Sequence, residues 1–139
     1  MVNPVLRSAA PCFLVDDVFA TAEHYRDVFG FCFEDIFGDP PSFVMLFRDG
    51  ATIVLQQAPP EALPSARPNA TVLQGTADIF MESRDVEALA GELRAKGADI
   101  VEGPVYRPIY DGWELLVRDR DGRLICFSQV DEAEACAQT

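Results

Sequence analysis

The feature that most narrows what this chain can fold into is a pattern written twice. An apolar run, an acidic pair, an amphipathic segment and a glycine occupy residues 11–31, and the same order returns from residue 77 onward. In the first copy residues 6–15 read as a strand, and Val18, Ala22, Tyr25, Val28 and Phe29 fall along one face of a helix. Asp17 is placed to cap its start and Gly30 to stop it. Strand-like runs follow at 31–37, 43–47 and 51–57, divided by the turns GDPPS and RDG.

The second copy uses different letters for the same grammar. ADIFMES is a strand, Asp85 caps a helix with the apolar stripe Val86, Leu89, Ala90 and Leu93, and Gly97 ends it. Glu92 and Lys96 are spaced to pair across its outer side. Strands are expected at 99–106, 113–118 and 124–129, the last two joined by DRDG. The expectation is one α+β domain over 1–139, made of two β-α-β-β-β modules, about 6–57 and 75–130, that form a curved mixed sheet around a cavity with the helices outside. Prolines 59, 60, 64 and 68 make 58–74 a linker without regular structure, and 131–139 is a polar tail.

Composition excludes several partners. With 23 acidic against 11 basic residues the formal charge is −12, which argues against nucleic acid and against an anionic membrane surface. No apolar run approaches the roughly 18 residues that a bilayer demands. The stretch MVNPVLRSAAP lacks an apolar signal core, so the chain is expected in the cytoplasm. Cys12, Cys32, Cys126 and Cys136 are too scattered for a CxxC pair, and three of them sit in strand-like contexts where cysteine acts as a small buried hydrophobe. His24 lies off the helical stripe and reads as a solvated side chain, which removes the commonest general base. No P-loop, dinucleotide fingerprint, G-x-S-x-G or H-E-x-x-H is present.

The segments FLVDDVFATAEHYRDVFGF, IFMESRDVEALAGELRAKGADIVEGP and LLVRDRDGRLICFSQ resemble the two module signatures of the vicinal oxygen chelate superfamily, which includes glyoxalases, bleomycin resistance proteins and extradiol dioxygenases. The resemblance covers about residues 8–130. It implies that a divalent metal, if one were held, would sit at Ala10, Val54, Asp78 and Cys126. Alanine and valine offer no donor atom, and one carboxylate with one thiol falls short of the three or four protein ligands a labile ion needs. No metal and no cofactor is therefore expected.

Strand alternation then indicates what faces the hollow instead. If Pro11, Phe13 and Val15 lie under the first helix, Ala10, Cys12 and Leu14 turn inward, and with them Thr52, Val54 and Gln56. In the second module Asp78, Phe80 and Glu82 turn inward, as do Leu124, Cys126 and Ser128. The structural alternative for the carboxylates is a place at the strand ends, or pairing with Arg48, Arg107 or Arg118. YRPIYDGWE adds Tyr106, Tyr110 and Trp113 beside Asp111 and Glu114, rings for stacking and carboxylates for a cation. Parity places Trp113 with Leu115 and Val117 under the helix and Glu114 inward, unless a bulge reverses it.

The candidate ligand-binding set is thus Asp78, Phe80, Glu82, Gln56, Tyr110, Trp113 and Glu114, with no metal site. The function expected is a homodimeric small-molecule-binding protein that sequesters a cationic or aromatic compound, as the resemblance to bleomycin resistance proteins implies. The alternative is a glyoxalase-like lyase, isomerase or dioxygenase, dependent on a metal or on Asp78 or Glu82 as a carboxylate base. A purely structural partner protein has no positive mark in the sequence.

Overall fold

The computed structural model of the chain describes residues 3–130, so the tail expected at 131–139 and Cys136 lie outside the described residues. The elements follow the doubled grammar: β1 (Cys12–Val15), α1 (Val18–Phe29), β2 (Ile36–Phe37), β3 (Phe43–Arg48) and β4 (Ala51–Gln57), then β5 (Ile79–Glu82), α2 (Val86–Ala95), β6 (Asp99–Arg107), β7 (Gly112–Arg118) and β8 (Leu124–Val130). The chain divides into two compact units between Ala66 and Arg67. Each unit holds one four-stranded mixed sheet, ordered β1-β4-β3-β2 in the first and β5-β8-β7-β6 in the second. Among the described residues no helix is long and apolar enough to cross a membrane.

Both helices begin where the acidic residues dictate. The Asp17 side chain accepts from Ala20 N and that of Asp85 from Ala88 N, each satisfying a donor that the first helical turn leaves bare. Gly30 closes α1 in the left-handed region at φ 74°. A second device repeats in the two units: the carboxamide of Gln57 accepts from Val18 N at 2.9 Å, and that of Gln129 accepts from Val86 N at 2.8 Å. Gln57 ends and Gln129 stands next to the end of its sheet's second strand in spatial order, so each ties sheet to helix. Neither role is visible in sequence periodicity.

In the first unit Phe13, Val15, Val44, Leu46, Ile53 and Leu55 are buried, as are Val18, Ala22, Tyr25 and Phe29 of α1. Full burial of each valine, leucine, isoleucine or phenylalanine among them is worth about 1.5–3 kcal/mol. In the second unit Val86, Ala90 and Leu93 of α2 are buried, with Leu115, Val117, Ile125 and Phe127 from β7 and β8. The pair expected between Glu92 and Lys96 forms at 3.5 Å.

Five expectations need correction. The expected strand at 6–15 shortens to Cys12–Val15, and that at 31–37 reduces to Ile36–Phe37 with a single bridge from Cys32 to Phe47. The linker is not irregular, because 3₁₀ turns form at Pro60–Ser65 and Asn69–Thr71. Pro60 stands at the start of the first of these, where its missing N–H costs nothing. His24 is not solvated: its ring meets Phe29 edge-on at 5.3 Å and Tyr25 at 6.1 Å. Cys12 and Cys32 are exposed, and only Cys126 of the three expected hydrophobes is buried.

Candidate functional site

Alternation along β7 builds the site. Leu115 and Val117 are buried with the α2 core, so Glu114 and Leu116 turn to the helix-free face of the second sheet. Register places Glu114 opposite Ser128 and Leu116 opposite Cys126 on β8, while β5 sets Phe80 beside Cys126 and Glu82 beside Ser128. The edge strand β6 does not run evenly along β7. Its register shifts between Ile100 and Glu102 and again between Glu102 and Val105. Gly103, at φ 103°, lies inside the second shift. The irregularity brings two β6 side chains, Glu102 and Arg107, to the same guanidinium-carboxylate cluster.

Glu114 is the centre of that cluster, its side chain only 14% exposed. Arg107 Nε donates to Oε1 at 2.8 Å, and Cys126 Sγ lies 3.3 Å from Oε2. Tyr110 interacts with the same carboxylate, and Arg107 also pairs with Glu102. Burial would raise the Glu114 carboxyl, but hydrogen bonds from Tyr110, Arg107 and Cys126, with the Arg107 charge, outweigh it and hold the group below the ordinary carboxylate range. Burial, and then the Glu114 carboxylate, push the Cys126 thiol up to about 12. Tyr110 is raised by the same two causes.

The structure divides the residues expected in one site. Phe80, Glu82, Tyr110 and Glu114 share the helix-free side of the second sheet, with Phe80 67% exposed. Trp113 points the other way, since it stands opposite Gln129, whose side chain caps α2. It meets Tyr106 edge-on at 5.5 Å, and the Tyr106 hydroxyl donates to Asp111. Asp78 precedes β5 and is tied to the linker, its Oδ1 accepting from Asn69 N at 3.2 Å. None of the arginines expected as partners binds Asp78 or Glu82 in these contacts; Arg107 serves Glu114 and Glu102, and Arg118 serves Asp99 at 3.3 Å. Gln56 belongs to the first unit, where Cys12 Sγ lies 3.9 Å from its Oε1.

The pocket lining expected from β8 is also partly covered. Leu124 and Cys126 form a buried cluster with Ala77 and Leu116, against which Ala70 of the linker packs. Alternation sets these residues on the side away from α2 and could not register the chain lying across them.

The four positions that the resemblance assigns to a metal do not fit one. Ala10 and Val54 carry no donor, Asp78 spends one oxygen on Asn69, and the Cys126 thiol is protonated and turned to Glu114. Among the described residues no group of three or more His, Cys, Asp or Glu could hold an ion. The thiol state is directly checkable. Iodoacetamide at pH 8 should modify the exposed Cys12 and Cys32 in the native protein and leave Cys126 untouched until the chain unfolds, as read by peptide mass spectrometry. Labelling of Cys126 as fast as Cys12 would contradict the burial described.

The family model described as Glyoxalase/Bleomycin resistance protein/Dioxygenase superfamily matches residues 7–127. TnmS3, an antibiotic binding protein from Streptomyces sp. CB03234, superposes with a TM-score of 0.69 at 18% identity, covering 93% of this chain and 100% of that one. The virulence protein STM3117 from Salmonella typhimurium gives 0.65 at 26% identity, with 93% and 100% covered. A glyoxalase/bleomycin resistance protein/dioxygenase from Nocardioides gives 0.64 at 17%, with 98% and 92% covered. No curated protein matches the sequence.

Proposed function

Because this chain belongs to the Glyoxalase/Bleomycin resistance protein/Dioxygenase superfamily, we propose that it is a small-molecule-binding protein that takes a cationic or aromatic compound and works without a catalytic metal. One observation carries the reading. The helix-free face of the second sheet presents the Glu114 carboxylate with Tyr110 beside it and, across β8, the exposed ring of Phe80, an anion on a face that carries aromatic groups. Glu82 adds a second carboxylate beside Ser128. The donor-free residues Ala10 and Val54 weigh against metal chemistry at the positions the superfamily uses. TnmS3 is by its own description an antibiotic binding protein, and the shared fold makes a ligand of that general kind reasonable here.

The working form proposed is a cytoplasmic homodimer that binds neither nucleic acid nor membrane, in keeping with the formal charge of −12. A thermal-shift titration with a cationic aromatic compound such as ethidium tests the reading. At 100 times its Kd such a ligand stabilises the folded state by about 2.7 kcal/mol, and the gain should shrink as salt screens the charge. If only divalent metals raise the melting temperature, and nickel, zinc, iron or manganese survives gel filtration near one per chain, the binding reading is replaced by a metalloenzyme.

A further inference from the structure

Three side chains meet the Glu114 carboxylate, and they are not anchored alike. Cys126 lies within β8, flanked by β5 and β7, and Arg107 ends β6 while also gripping Glu102. Tyr110 belongs to no strand. It sits in the turn between β6 and β7, next to Ile109, and is 42% exposed. Its ring lies over Gly112: a Cβ built there would come within 2.8 Å of Tyr110 Cε2 and 2.7 Å of Val130 Cγ1. The glycine thus makes room for the ring to lie against the sheet and deliver its hydroxyl to a carboxylate that is otherwise nearly enclosed.

From this arrangement we infer that Tyr110 is a displaceable cover over Glu114, and that the ligand of this face is a planar aromatic molecule bearing its own N–H donor, which replaces the Tyr110 hydroxyl. The inference rests on the binding function proposed above and names the chemistry the site selects. Arg107 is one cation shared between Glu102 and Glu114, so the cluster keeps a negative surplus, which favours a protonated donor such as an amidinium or an ammonium. A molecule that swings Tyr110 aside without supplying a donor leaves a buried carboxylate short of a hydrogen bond, which is the costly outcome. A donor-bearing molecule restores the bond and gains ring contact with Phe80 and the displaced Tyr110. Selection therefore comes from the donor and not from charge alone.

The test uses two aromatic cations, benzamidine, which carries N–H donors, and benzyltrimethylammonium, which carries none, titrated into the intact protein and followed by NMR at Phe80, Tyr110 and Ser128. Benzamidine should bind roughly 10-fold or more tightly than benzyltrimethylammonium. Tyr110→Phe, which keeps the ring and removes the competing hydroxyl, should raise benzamidine affinity several-fold, whereas Glu114→Gln should abolish the preference between the two cations. Equal affinity for both cations, or unchanged or weakened benzamidine binding in Tyr110→Phe, overturns the cover while leaving the binding function standing. Silence of all three signals with both cations overturns the binding function itself. Tyr110→Phe alone decides the matter if Glu114→Gln fails to fold.

Discussion

Phe29→Ala should destabilise the first unit by about 3–5 kcal/mol, the cost of emptying a large aromatic from a closed core. Phe29 is 1% exposed at the end of α1, and its ring packs at 5.0 Å from Tyr25 and 5.3 Å from His24. Its carbonyl also accepts from Arg48 Nη1 at 2.7 Å, so the same residue ties the helix end to β3. The backbone acceptor survives in the variant, and the loss is that of packing. Urea denaturation followed by circular dichroism measures it, with an unchanged slope indicating that stability alone has moved. Phe19→Ala, on the exposed side of the same helix, is the control and should cost little. A loss below about 1 kcal/mol for Phe29→Ala would mean that the core closes elsewhere.

That residue also shows what the sequence could reveal. The bounds of α1 were legible because three independent signals agree on them: the Asp17 cap, the stripe ending at Phe29 and the glycine that follows. The strand after it was not legible. Four steps from Cys32 to Ile36 face only three from Phe47 to Val44, so one residue bows out and pairing is lost between them. An apolar run with Glu34 and Asp35 in its middle gives no sign of this. The turns of the linker are hidden for a related reason, since proline breaks an α-helix yet suits the first position of a short 3₁₀ turn.

The site divides along the same line. That Glu114 faces away from α2 followed from alternation, and β7 carries no bulge that would reverse it, so Trp113 stays on the helix side as parity required. Membership of Trp113 in a common site with Glu114 did not follow, because the two residues occupy opposite faces of one strand. The partners of Glu114 were hidden as well. Arg107 reaches it across strands, Cys126 from a strand twelve residues away in sequence, and Tyr110 from a turn, and none of these spacings is periodic. The one legible sign of the Gln57 and Gln129 anchors is that they hold equivalent places at the ends of LQQ and FSQ.

Gly103→Ala should be the most damaging single change near the site, costing about 3–5 kcal/mol, because it meets two penalties at once. At φ 103° a residue with a side chain is strained in any surroundings. A Cβ there would also stand 2.3 Å from the Glu114 carbonyl oxygen and 3.2 Å from Leu115 Cα, both backbone atoms of the central strand β7 that cannot turn aside. Relief requires β6 to slide or lift, and a slide of one residue would carry Arg107 to the other face. The effect should therefore register in the Glu114 titration as well as in stability. In the native protein the Glu114 carboxyl is held below its ordinary value, so its contribution is present above the unfolded value near about 4.3 and is lost as pH falls through the folded one. The variant lacks that contribution, so the stability gap to the parent should narrow between pH 7 and pH 3, and the Glu114 carboxyl carbon followed by NMR should titrate at higher pH in the variant. A gap that widens on acidification, or a Glu114 titration that does not move, would show that the irregular register of β6 is not what brings Arg107 to Glu114.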